Sequence, residues 1–372
     1  MFPADLTIAI ISYNALESDL QRAVQAAVAT GCPLRRILVI DVASTDGTDV
    51  WMQRNWPAIQ CVSLTENRGP NVARNRALRQ ATTPYVLLCD VDVELPPQGP
   101  QIMRDLLDSD GAIGIVTPVV VHGHKPDIIH YARTWVHYLC EAARTHDDQP
   151  VASLHEQTSD VGSCTGCAPM IRRAAAMTVG LYDERLFFGK TDGEFSYRMT
   201  MAGYRIVETG RVLVLHHHKP RGTKYYDHQL AGRWYFMLKN YQWRTLIVCA
   251  PALLVHELSL LAFLLARGQF AAWFRGVKRL GLLLPHLRGA RAQNRRMRRL
   301  GDAHLLRGAQ LVVPIAADQR TGPIKIALYF YEAAARAYWA VAGTLLRAFS
   351  APARAGPGEI AAGPEPEASQ FP

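Results

Sequence analysis

Four short, almost wholly apolar segments, at residues 6–12, 37–40, 59–64 and 85–89, follow one another near the start of the chain. Each is separated from the next by residues with helical spacing or turn chemistry. Continuous apolar runs of this length, bounded by polar turn residues, read as strands buried on both faces. Between them, residues 18–30 place Leu20, Ala23, Val24 and Ala27 on one side of a helix. Ser44-Thr45-Asp46-Gly47-Thr48 supplies capping and turn residues for a second helix reaching Trp56, and residues 72–80 form a third after a turn at 67–71. Strands alternating with helices predict an α/β fold with a mostly parallel central sheet covered on both sides.

Ligands of such sheets bind beyond the carboxyl ends of the strands. Polar residues collect there: Ser12 and Asn14, then Asp41, then Glu66 and Asn67, then Asp90 and Asp92. No Gly-x-Gly-x-x-Gly follows the first strand, which argues against a dinucleotide fold of the usual kind. The absence of Gly-x-x-x-x-Gly-Lys-Ser/Thr excludes a P-loop. Asp90 and Asp92 stand two residues apart where the fourth strand ends, so both side chains point the same way. Two carboxylates so close repel unless something positive lies between them. A hard divalent cation bridging to a substrate phosphate fills that place, and a solvated acidic turn is the plain alternative.

Residues 106–109 close a helix and 114–121 read as a strand, while 122–162 carry no readable period. Residues 166–172 read as strand or loop and 174–179 as a short helix. A helix follows at 194–202, then short strands at 204–208 and 212–216. The character then changes. Residues 246–266 are apolar at close to bilayer-spanning length, interrupted only by Pro251, His256, Glu257 and Ser259. Residues 270–287 mix Trp273, Phe274 and leucines with Arg275, Lys278 and Arg279, as in a helix lying among headgroups. A second long apolar helix is expected at 324–349, with an ordinary packing helix as its plain reading.

The net charge of +9 is not spread over the chain. Residues 267–307 hold 11 Lys/Arg against one acid, and the remainder holds 30 against 31. Two apolar helices framing this segment favour an anionic membrane surface. Seven cysteines at irregular spacing do not form a disulfide framework, and residues 1–12 lack a basic stretch and a long apolar run. A reducing compartment is expected, at the cytoplasmic face of the cell membrane. The expected division is a catalytic body at 1–245, membrane-associated C-terminal helices at 246–349 and a disordered tail at 350–372.

The order of motifs is that of a known family. Thr7-Ile-Ala-Ile-Ile-Ser-Tyr-Asn14, Ile37-Leu-Val-Ile-Asp-Val-Ala-Ser-Thr-Asp-Gly-Thr48, Glu66-Asn-Arg-Gly-Pro-Asn-Val-Ala-Arg-Asn-Arg-Ala77 and Asp90-Val-Asp92 resemble a family 2 glycosyltransferase with the GT-A fold. The likeness is to the inverting, rhamnosyltransferase-like type of the bacterial cell envelope. Gly166-Cys-Ala-Pro-Met-Ile-Arg-Arg173 and Tyr182-Asp-Glu-Arg-Leu-Phe-Phe-Gly-Lys-Thr-Asp-Gly-Glu-Phe-Ser-Tyr-Arg198 fit its acceptor-side half, so the resemblance covers about residues 5–245.

The resemblance implies that Asp41 contacts the base of the donor nucleotide and that Arg74 and Asn75 lie near it. It implies that Asp90 and Asp92 hold Mg²⁺ or Mn²⁺ at the donor diphosphate, and that Asp192 is the general base. In the fold it resembles, a histidine near His216 joins the metal or touches the diphosphate. Val42 stands where Asp or Asn is common, and Thr191 where an acid usually precedes the base. Read from the residues, Asp192 is alternatively a helix cap, and Glu194 is a second candidate base. Arg221 is the expected phosphate contact in a loop at 219–224 that closes over the donor. Cys164-x-x-Cys167 has no second pair for structural zinc and reads as lining for an acceptor pocket. Trp135, Trp234 and Trp243 stack on sugar or pack.

The expected activity is inverting transfer of a sugar from a nucleotide-diphosphate donor to a hydroxyl of a lipid-linked or cell-envelope glycan acceptor. A nucleotidyltransferase would carry a Gly-rich basic loop where this chain has Ser12-Tyr-Asn-Ala-Leu-Glu17. A non-enzymatic membrane or nucleic-acid binder would leave the aspartates without a purpose. The basic segment also lacks the interleaved aromatics of a single-strand platform, so nucleic acid is not an expected partner.

Overall fold

Strands β1 (Leu6–Ser12), β2 (Ile37–Asp41), β3 (Gln60–Ser63) and β4 (Tyr85–Asp90) form a parallel block in the order β3-β2-β1-β4. They belong to a computed structural model that describes residues 2–154, 157–219, 225–308, 311–312 and 322–349. Helices α1 (Gln21–Ala29), α2 (Thr48–Asn55) and α3 (Pro70–Gln80) connect the strands, α1 continuing a π-helical turn at Leu16–Leu20. The runs of β1, β2 and β4 are continuous because both faces are covered. Ile8, Ile10, Val39 and Leu87 pack against α1 and against α4 (Gly99–Ser109). Ala9, Leu38, Ile40 and Leu88 pack on the opposite side, against α3. Each fully buried Leu, Ile or Val contributes about 1.5–3 kcal/mol.

Beyond β4 the sheet changes direction. It continues through β5 (Val93–Glu94), β6 (Ile113–His122), β7 (Lys125–Tyr131), β10 (Thr158–Val161), β11 (Met170–Arg172) and β12 (Arg205–His216), in the order β10-β12-β6-β11-β4. β11 lies antiparallel between β4 and β6, and β12 runs parallel to β6. The central sheet is therefore mixed, where the sequence suggested a mostly parallel one. Strand direction is set by connections, and the three residues of β11 carry no pattern that reveals theirs. The irregular 122–162 stretch contains β7, β10, β8 (Trp135–His137) and β9 (Ala142–Ala143), several of them too short to show a period. β12 is one strand rather than two, because a register shift between Thr209 and Leu213 absorbs the Gly210-Arg211 interruption.

Helices α5 (Arg173–Thr178) and α6 (Thr191–Met201) complete the second face. The remaining elements are α7 (Tyr226–Asn240), α8 (Trp243–Ala266), α9 (Phe270–Leu283), α10 (Leu287–Met297), α11 (Asp302–Leu305), β13 (Leu306–Arg307) and α12 (Gly322–Ala348). A further apolar cluster ties them to the body through Tyr138, Phe236, Tyr241 and Trp339. Tyr138 stacks on Trp339 with ring centres 5.0 Å apart.

Among the described residues, one helix is long and apolar enough to cross a membrane, and it is α8, in the middle part of the chain. The expected pair of C-terminal membrane helices reduces to this one by length and composition. α12 buries Trp339, Ala342 and Leu346 against the body while Tyr329, Phe330 and Val341 remain exposed. In α8 only 11% of the most apolar stretch is buried. Two of its polar interruptions turn inward: His256 hydrogen-bonds the Tyr331 hydroxyl, and Glu257 accepts the Trp234 indole N–H. Part of the basic segment is structural too. Arg279 pairs with Asp227, Arg298 with Asp302, and Arg291 donates to the carbonyls of Leu238 and Tyr241. The tail at 350–372 lies outside the described residues.

Candidate active site

A cavity of about 940 Å³ opens at the carboxyl ends of β1 and β4 and is closed on its far side by α6 and β12. Asp90, the last residue of β4, is fixed by its own N–H, which donates to the Cys167 carbonyl. Arg74 reaches it from α3, with the Arg74 side chain 4% exposed. One guanidinium nitrogen donates to Asp90 at 3.0 Å and another to Asp192 at 2.8 Å. Strand end and helix start, far apart in sequence, are thus bound to a single cation. Burial would lower the Arg74 pKa, but the two carboxylates hold it above its ordinary value. Burial pushes the Asp90 carboxyl up to about 6; Arg74 opposes this, while Asp92 and Asp192 add to it. One arginine therefore does not neutralise the three carboxylates.

Asp192 lies in the first turn of α6, where the helix dipole favours a negative charge. It is not the cap: that position is Lys190, at φ 60°, with no side-chain capping bond. The approach of Arg74 and Asp192 depends on Gly166. A Cβ there would lie 2.5 Å from the Arg74 guanidinium and 2.8 Å from the Asp192 carboxylate. Gly69 plays a comparable part at the opposite wall, at φ 91°, where a Cβ would meet the Phe187 carbonyl at 2.6 Å.

Asp92 lines the cavity beside His216, with Nε2 of the imidazole 3.5 Å from the carboxylate. Pairing of β12 with β5 brings them together, His216 standing opposite Val93. The other ring nitrogen of His216 faces His130 at 3.1 Å. Burial and the neighbouring imidazoles push His130 down to about 2, so it is neutral. No ready-made group of three or more His, Cys, Asp or Glu able to hold a metal occurs among the described residues. Asp92 and His216 supply one oxygen and one nitrogen donor. This fits an ion that completes its shell with water and substrate oxygens rather than a closed protein cage.

Other expected residues are divided between the cavity lining and the structure behind it. Asp41 is buried, accepts the Ser44 N–H and does not line the cavity, although its neighbour Val42 does. Asn75 is buried and joins α3 to the 182–184 segment, accepting the Tyr182 N–H and donating to Glu184. Glu194 is fully enclosed and paired with Arg198 and Lys239. Cys164 and Cys167 line the cavity, and burial pushes both thiols up, Cys164 to about 12. Trp135 lines the cavity, whereas Trp243 is exposed beneath the Arg291 guanidinium. Arg221 and most of its loop lie outside the described residues; Lys219, just before them, pairs with Asp19 at 2.8 Å. Sequence reasoning missed His130, Tyr131 and Glu141, which fall in the patternless 122–162 stretch.

The family described as Glycosyl transferase family 2 matches residues 7–180. The poly-beta-1,6-N-acetyl-D-glucosamine synthase of Staphylococcus aureus (strain MSSA476) is 24% identical over 204 residues, which are 54% of this chain and 47% of that protein. The N-acetylglucosaminyl-diphospho-decaprenol L-rhamnosyltransferase of Mycobacterium tuberculosis (strain CDC 1551 / Oshkosh) is 24% identical over 202 residues, 49% of this chain and 66% of that one. The matched region spans about half the length of the first of these relatives. The crystal structure of GalNAc-T7 with UDP, GalNAc and Mn²⁺ superposes with a TM-score of 0.53 at 16% identity, over 65% of this chain and 50% of that one, a likeness of fold. Motif order, matched residues and fold agree: the chain is related to glycosyl transferase family 2 through residues 7–180, within a GT-A-like fold built on a mixed central sheet.

Proposed function

We propose that this chain is an inverting glycosyltransferase that moves a sugar from a nucleotide-diphosphate donor to a hydroxyl of a lipid-linked or cell-envelope glycan acceptor. The observation that carries the reading is the bridge from Asp90 through Arg74 to Asp192 at the wall of one large cavity. It sets the β4 end, where the donor diphosphate would lie, beside a carboxylate on the acceptor side.

Asp192 takes the acceptor proton as the hydroxyl oxygen attacks the anomeric carbon. The bond to the diphosphate oxygen breaks on the opposite face, so one displacement inverts the centre, leaving a nucleoside diphosphate and a proton on Asp192. Arg74 keeps Asp192 aimed through their 2.8 Å ion pair. Asp92 and His216, with Asp90 behind them, would hold Mg²⁺ or Mn²⁺, which when bound neutralises charge on the departing diphosphate. Asp41 and Asn75 act behind the cavity wall by fixing the loops that carry it, and Arg221 is the proposed phosphate contact.

Residues 1–245 carry the transfer and 246–349 the membrane contact, on the cytoplasmic side. Exposed Leu254, Val255 and Leu258 of α8 and Phe274 of α9 support that placement, with Arg275 alongside. The test offers purified protein UDP-, dTDP- and GDP-sugars with Mn²⁺ or Mg²⁺ and records free nucleoside diphosphate. Chelator-sensitive release that is lost in Asp92→Ala supports the reading. Absence of binding by every donor in the presence of metal overturns it.

A further inference from the structure

A second cavity of about 200 Å³ adjoins the first. The two share Glu141, Ala142, Lys190 and Gln229, so the wall between them is polar. The far wall of the smaller one is apolar: Leu230 of α7 and Leu260, Phe263 and Leu264 of α8. Lys190 pairs with Glu141 and stands two residues before Asp192. Arg233, 1% exposed, lies between Glu141 and Glu257, and its Nε makes no hydrogen bond. The space thus passes from a hydrogen-bonding throat beside Asp192 to an apolar trough on α8, a helix long and apolar enough to cross a membrane.

We propose that this trough admits the hydrocarbon of a single-chain, lipid-linked acceptor and presents its hydroxyl-bearing polar end, past Lys190 and Gln229, to Asp192. The inference rests on the transferase reading and names the acceptor's class and route. Three features fix that class. The volume accommodates roughly six or seven water- or methylene-sized groups, hence one chain end and not two. The throat is balanced in charge, Lys190 and Arg233 against Glu141 and Glu257, which suits a hydroxyl-rich head over a bare anion. Burial would raise the Glu141 carboxyl, but Lys190, His256 and Arg233 hold it at about 2, which leaves it an acceptor for hydroxyl donors. The same helix exposes Leu258 and Leu265 to the surroundings.

The test uses the full chain in mild detergent with a probe consisting of a C15 prenyl chain bearing a diazirine and a monosaccharide head. Photolabelled peptides are mapped, and nucleoside-diphosphate binding in the larger cavity is measured on the same sample. Label within residues 226–233 and 260–264, displaced by the unlabelled prenyl glycoside and not by inorganic phosphate or a two-chain phospholipid, supports the proposal. Leu260→Trp, which fills the trough, is expected to lower labelling at least tenfold with nucleotide affinity unchanged. Phe263→Ala, which removes one wall without filling it, is expected to lower it at least threefold. Label spread over Leu254, Leu258 and Phe274 without displacement, or displaced equally by the two-chain lipid, overturns the trough as an acceptor site. Loss of nucleotide binding in the unaltered protein sinks the transferase reading instead, and the acceptor role with it, wherever the label falls.

Discussion

Arg74 on α3 and Asp192 on α6, 118 residues apart, meet at 2.8 Å, and the same guanidinium holds Asp90. The donor-side and acceptor-side halves of the fold are joined at the point where the chemistry is proposed to occur. The charge that orients the base is also part of what keeps the two halves in register.

Replacement of Asp192 by Asn retains the shape and removes the proton acceptor. Transfer to acceptor is expected to fall by about 10²–10⁴-fold. Donor affinity, measured by calorimetry, is expected to change less than about threefold. An equal loss of both would show that Asp192 serves donor binding rather than proton removal.

Arg74→Ala leaves two carboxylates facing each other across an empty place. A fully buried pair broken in this way costs roughly 3–5 kcal/mol; these carboxylates retain some solvent, so about 2–3 kcal/mol is expected in urea unfolding. Adding Asp90→Asn to Arg74→Ala is expected to restore part of that stability. No recovery in the double variant would mean that the loss comes from packing.

Among the described residues no group of three or more metal-ligating side chains forms, and Asp92 and His216 stand together as a pair. Mn²⁺ is therefore expected to bind weakly to the protein alone and at least tenfold more tightly with nucleoside diphosphate present, followed by electron paramagnetic resonance. His216→Ala is expected to reduce that gain. Tight Mn²⁺ binding without nucleotide would point to a complete protein site.

Glu208, on β12, is 2% exposed and accepts the Arg133 N–H, yet burial raises its pKa from 4.5 to about 7. The folded protein therefore holds a proton that the unfolded chain releases between these values. This contribution to stability is fully present below about pH 4.5 and is lost as pH rises to 7, by up to roughly 3 kcal/mol. Glu208→Gln is expected to flatten that slope and to raise the melting temperature at pH 8. An unchanged pH profile in the variant would assign the slope to other groups.

Much of the parallel block was legible because β1, β2 and β4 are buried on both faces, and continuous apolar runs announce such strands. Asp90, Asp92 and Arg74 could be placed at the site because strand ends and the motif order pointed to them. The mixed half was not legible. β11 has three residues and β9 two, and their direction and pairing depend on partners far along the chain. Asp41 and Asn75 illustrate a different limit. Their sequence context places them near the site, but whether a side chain faces the cavity or braces its wall depends on rotamers, here settled by Ser44, Tyr182 and Glu184. The inward turn of His256 and Glu257 was hidden for the same reason: a polar residue in an apolar helix shows its purpose only when Tyr331 and Trp234 are seen beside it.

The bare backbone at Gly166 has a consequence for altering this protein by mutation. The tolerance of a position is commonly judged by what its side chain does, and this one has none. Yet the space it leaves is occupied by the charged ends of Arg74 and Asp192. Even a single methyl group would act as a wedge between them, and the smallest residue at the site leaves the least room for variation in a mutant library.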